Sequence, residues 1–141
     1  MTPGIEMSIA WFDDDVIELR VRATNGRFAG QAFAYVENNA LPRLAAELQG
    51  FPLDAADSRV LEFGTFDASY AGGGVGLKFC CTDAVGHAEV EVRLRTDPRP
   101  QGRSDSAQFA ITVEAAAVDE FVDQLKKVRL ECGASVVLSG G

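Results

Sequence analysis

Three consecutive runs decide the fold: GVGLKFCC (residues 74–81), HAEVEVRLR (87–95) and FAITVEAAAVDEFVDQLKKV (109–128). Val75, Leu77, Phe79 and Cys81 alternate with small or polar residues, as do Ala88, Val90, Val92 and Leu94, and then Phe109, Ile111 and Val113. That period of two belongs to strands with one face turned to a core. From Ala115 the period changes, because Val118, Phe121, Val122, Leu125 and Val128 recur at the three- and four-residue spacing that lines one side of a helix. A sheet face meets a helix face, which makes the class α+β.

Working outward, Ile5, Met7 and Ile9 alternate as a short first strand, and Val16–Ala23 alternates with Ile17, Leu19 and Val21 on one side. Phe28–Val36 pairs back across Asn25-Gly26, whose two residues suit the positive φ angles of a type I′ turn. Asn38 or Asn39 caps a helix with Leu41, Leu44, Ala45 and Leu48 on one face, Pro42 in its first turn and Gly50 at its exit. A further strand spans about Arg59–Phe66, and the tail Cys132–Gly141 either adds a last strand through Val136 and Leu138 or dangles. The expectation is a single α+β domain over residues 1–141. It has a mostly antiparallel sheet of six or seven strands, two helices packed on one face, and loose ends at 1–4 and 139–141.

The uncovered face would carry Glu18, Arg20, Arg22, Lys78, Glu89, Glu91, Arg93 and Arg95. Mixed charge there suits water, or at most a weak, salt-sensitive homodimer in equilibrium with the monomer. With 21 acidic against 13 basic residues the net charge is -8, which repels nucleic acid backbones and is read first as plain solubility, the alternative being an acidic patch that binds a basic protein partner. No apolar run is long enough for a membrane helix, and the start lacks the basic and apolar regions of a secretory signal, so the expected address is cytoplasmic. Three cysteines, two of them adjacent at Cys80 and Cys81 and so on opposite strand faces, argue against a disulfide framework.

Chemistry-bearing motifs are few. Asp13-Asp14-Asp15 has neither the spacing nor the glycine of a calcium loop and reads as a polar turn. The glycines of 72–76 precede a strand, whereas phosphate-binding loops open a helix, so they read as a turn with unusual dihedrals. His87, the sole histidine, follows the turn Asp83-Ala84-Val85-Gly86 and lies near Cys81, giving the nearest approach to a reactive constellation: His87, Asp83 and Cys81. Cys-x-x-Cys spacing is absent, so neither metal nor cofactor is expected. The segments Ala71–Val75, Asp83–Val90 and Phe109–Leu125 together resemble a family of small bacterial proteins of unknown function, a resemblance that implies no activity, ligand or site residue. The expected role is a binding or regulatory module, of the immunity or accessory type, acting through protein–protein contact. The alternative is a small enzyme with its site at the Asp83–His87 turn.

Overall fold

The structure, a computed structural model, describes residues 2–141; of the expected loose ends, Met1 lies outside the described residues. In chain order the elements are β1 (Gly4–Phe12), β2 (Val16–Thr24), β3 (Ala29–Glu37), α1 (Ala40–Leu48) and β4 (Ser58–Gly64), then β5 (Gly74–Cys81), β6 (His87–Arg95), β7 (Ser106–Glu114), α2 (Ala115–Lys127) and β8 (Ser135–Ser139). The class is α+β with antiparallel pairing throughout, but the expected single sheet of six or seven strands is instead two sheets of four, ordered β3-β2-β1-β8 and β4-β5-β6-β7. Alternation identifies which side chains face inward and leaves pairing open, since each sheet needs only its own inward stripe.

The inward stripes of both sheets and the apolar faces of both helices share one core, with Ile5, Leu19, Phe79, Val90, Phe121 and Leu138 essentially inaccessible to water. Each helix presents the face that its spacing requires: Leu41, Leu44, Ala45 and Leu48 on α1, and Val118, Phe121, Val122 and Leu125 on α2. The charged residues expected on one wet face are divided, with Glu18, Arg20 and Arg22 on one sheet and Lys78, Glu89, Glu91 and Arg93 on the other. Arg95 is buried, 8% exposed, which corrects its assignment to solvent.

The two halves repeat one plan of three strands, a helix and a strand. One constant offset carries Leu41, Leu44, Ala45 and Leu48 onto Val118, Phe121, Val122 and Leu125, and the same offset carries Ala32, Ala34 and Val36 onto Phe109, Ile111 and Val113. At a shorter offset, Ile5, Met7 and Ile9 of the first strand correspond to Val75, Leu77 and Phe79. Each half gives its last strand to the other: β4 pairs with β5, and β8 pairs with β1.

The β2–β3 turn differs from the expected type I′. Thr24 stands opposite Ala29, so four residues close it, and only Gly26 has a positive φ (92°). The Asn25 Oδ1 accepts from the N–H groups of Arg27 and Phe28 at 2.9 and 2.8 Å, a side-chain turn that removes the need for a second left-handed residue. Asn39 occupies the α1 N-cap without a side-chain bond, while Asn38 donates to the carbonyls of Asp13 and Asp14. At the ends, Gly140 N–H donates to Pro3 O and Gly141 N–H to Thr112 O, each at 2.9 Å. Among the described residues no helix is long and apolar enough to cross a membrane.

Candidate functional site

An edge strand leaves a row of backbone donors and acceptors open, and proteins ordinarily cover such rows. Three of the four edges here carry a covering bond. On β3, Phe33 O accepts from Gly73 N–H at 2.8 Å. On β7, Ala110 O accepts from the Asn25 amide at 3.1 Å and Thr112 O from Gly141 N–H at 2.9 Å. On β8, the Gln124 side chain of α2 bonds both Val137 N–H (2.8 Å) and Val137 O (2.9 Å).

The fourth edge, β4, has no such bond among the described residues. Thr65 N–H donates to Gly73 O, and bonded pairs alternate along an antiparallel ladder, so Phe63 and Leu61 turn their backbone groups to β5 while Val60 and Glu62 turn theirs outward. Glu62 occupies the place that Val137 holds in the other half, and Glu47 of α1 the place of Gln124. A glutamate has no amide N–H to donate, so it cannot make the two-way bond that Gln124 makes.

Where Gln124 closes α2 onto β8, a groove of about 230 Å³ separates α1 from β4. Its floor is apolar, formed by Leu19, Leu41, Leu44, Leu61 and Phe63. Its rim is acidic: Glu47 and Glu62 are exposed and make no ion pair among the described residues, and Glu37 is held by Arg43 at 3.1 Å. Tyr35 adds a half-exposed ring at one end, and the charge of Glu18, its cross-strand neighbour, holds the phenol pKa above its ordinary value. Arg59 braces the far end by donating to Glu47 O (3.0 Å) and Gln49 O (2.8 Å) while its guanidinium pairs with Asp57 at 2.8 Å.

The residues singled out from sequence lie elsewhere. Asp83 and His87 do meet: His87 Nδ1 bonds Asp83 Oδ2, Asp83 Oδ1 accepts from Val85 N–H at 2.8 Å, and Glu114 Oε1 stands 3.6 Å from His87 Nε2. Asp83 first and Glu114 next hold the imidazole pKa above its ordinary value, which favours the charged form over a neutral base. Cys81 is on the opposite strand face, packed against the core with its Sγ 3.6 Å from Asp54 O, and burial followed by Asp57 pushes its thiol pKa up. A raised thiol beyond reach of the imidazole is a poor nucleophile. Asp13 closes a turn by accepting from the N–H groups of Asp15 and Val16, at 2.8 and 2.9 Å. Among the described residues no group of three histidine, cysteine or carboxylate side chains could hold a metal ion.

No family model, curated protein or solved structure matches the chain. The resemblance to a bacterial family therefore adds nothing to the site. The groove residues Tyr35, Glu47 and Glu62 carry no individual signal in the sequence because none is a catalytic type. The signal that could have found them is a comparison of the halves, where glutamate stands at 47 and glutamine at 124.

Proposed function

We propose that this chain is a binding module, of the accessory or immunity type, whose β4 edge takes an extended segment of a partner protein as an added strand. The observation that carries this reading is that, among the described residues, β4 alone of the four edges lacks a covering bond, beside a groove that its counterpart has closed. Strand addition supplies backbone hydrogen bonds for affinity, while alternate side chains entering a groove supply selectivity. The apolar floor suits aliphatic or aromatic side chains on one face of the segment. The unpaired carboxylates of Glu47 and Glu62 suit lysine or arginine on the other, as does the overall charge of -8. The Asp83–His87 turn supports an enzyme less well, because its imidazole is held toward the charged form and its thiol faces away.

A random decapeptide library displayed on phage, selected against the protein, tests the proposal. Enriched peptides should alternate apolar with basic residues and should lose at least tenfold in affinity, about 1.4 kcal/mol, to Val60→Pro. That substitution removes an N–H the fold does not use. Glu62→Lys should weaken binding as well. Peptides that bind Val60→Pro as tightly as wild type, or a selection that enriches nothing, would refute strand addition at β4.

A further inference from the structure

Four of the thirteen basic residues, Arg93, Arg95, Arg99 and Arg103, lie within the end of β6 and the loop that follows it, in a chain whose net charge is -8. Their arrangement starts with two glycines. Phe66, just after β4, lies across the outer face of β5 where Gly74 and Gly76 leave room: a Cβ on Gly74 would stand 2.9 Å from the ring, and one on Gly76 3.8 Å. The Arg93 guanidinium sits 3.8 Å from the centre of that ring, so stacking fixes the cation in place.

Arg95, on the same face, is more than nine-tenths buried. One terminal nitrogen donates to Thr65 O (2.8 Å) and Gly72 O (3.0 Å), and the other reaches only Ser104 Oγ, at 3.4 Å. Its Nε is buried without a partner, and the side chain pairs with no carboxylate among the described residues. A buried cation without a counter-charge is costly, and carbonyl dipoles offset only part of that cost.

Arg93 and Arg95 line a pocket of about 320 Å³ with Phe66, Ser104, Ser106 and Gln108, and no carboxylate residue lines it. Register explains the grouping, since Gln108 stands opposite Arg93 and Ser106 opposite Arg95. Asp67, the acidic group that feels Arg95, is held below its ordinary pKa chiefly by Ser69 and only weakly by this arginine. We propose that this pocket is an anion site for a phosphate group, either free or carried on a small organic molecule. The stacked Arg93 and the unspent Arg95 donors would take the charge, and the hydroxyls of Ser104 and Ser106 would take the remaining oxygens, while the Gln108 amide already donates to Glu91 Oε1 at 3.0 Å. Several donors converging from two strands and a loop fit a tetrahedral dianion better than a planar carboxylate, and the volume admits more than phosphate alone. The site shares no lining residue with the α1–β4 groove and stands independently of it.

Titration of the full chain with inorganic phosphate, adenosine monophosphate and acetate, followed by amide NMR, tests this. Phosphate should shift Arg93, Ser104 and Ser106 saturably, acetate at least tenfold more weakly, and a higher affinity for the nucleotide would identify a carried phosphate. Arg93→Met keeps an apolar group over Phe66 and should weaken phosphate binding at least tenfold with little change in melting temperature. Because Arg95 also holds two loop carbonyls, Ser106→Ala is the second variant, with a smaller loss expected. The proposal is overturned if phosphate causes no saturable shift at these amides, if acetate binds as well as phosphate, or if Arg93→Met binds as tightly as wild type.

Discussion

Phe121→Ala probes the shared core where α2 enters it. The ring is inaccessible to solvent, midway along the helical face that also buries Val118, Val122 and Leu125. A buried aromatic removes at least about 150 Å² from water, and at about 25 cal/mol per Å² that is about 4 kcal/mol. Truncation in a core that cannot collapse onto the space falls in the same range, about 3 to 5 kcal/mol. Little collapse is expected, because α2 packs against α1 and against β7 and β8, strands of the two sheets that ladder pairing holds in place. Urea unfolding followed by far-ultraviolet circular dichroism reads the loss. With a slope of about 1–3 kcal/mol per molar, the midpoint should fall by more than about 1 M. A loss below about 1 kcal/mol at unchanged slope would show that α2 does not bury this face, and the account of one core shared by both halves would fail with it.

Two further perturbations follow from local geometry. His87 should titrate by NMR above about 6.5, and Asp83→Asn should lower that midpoint, since Asp83 is the largest cause of the shift. The imidazole pKa is raised by folding, so its stabilising share is full below about 6.5 and is lost as pH rises through the folded value. The Asp83 pKa is lowered, so its share is present above about 3.9 and lost as pH falls through its folded value; the difference in urea midpoint between wild type and His87→Gln should therefore peak between these limits and shrink by pH 9. Equal differences at pH 5.5 and 9 would refute the pairing. Gly64→Ala should destabilise far more than Gly86→Ala: both glycines have positive φ, 71° and 97°, but a Cβ at Gly64 would stand 2.2 Å from Gly73 O and 2.8 Å from Ala34 Cβ, while at Gly86 it meets nothing within 4 Å. The second variant should lose about 1–2 kcal/mol from backbone conformation alone, and equal melting temperatures for the two would refute the close approach.

Local period was fully legible in the sequence: the stripes Val75–Cys81, Ala88–Leu94 and Phe109–Val113 and the helical faces at Leu41–Leu48 and Val118–Leu125 all turn inward. Pairing was not legible, because Leu61 or Val136 would satisfy an inward stripe equally well in either sheet. Arg95 was misplaced for a related reason. It continues the polar side of β6, but at the strand's end Thr65 and Gly72 fold over that side and replace water with carbonyls. The Asp83–His87 contact was foreseeable from its spacing, whereas the facing of Cys81 away from it follows from strand parity, which the register fixed. The groove left no trace in any single residue. It is a difference between two halves, visible only when Glu47 is compared with Gln124.

The exchange of last strands also bears on how the chain acquires its structure as it leaves the ribosome. Residues up to Gly64 contain all four strands and the helix of the first half, yet β1 keeps one side bare until Ser135–Ser139 has been synthesised, and Ile5 and Met7 meanwhile lack Leu138 and Val136, the residues that stand opposite them. The β4 strand, made early, has no partner until β5 emerges. Neither half can close its sheet alone, so the nascent polypeptide holds apolar edges open through most of its translation, the interval in which strands of neighbouring copies most readily pair with each other.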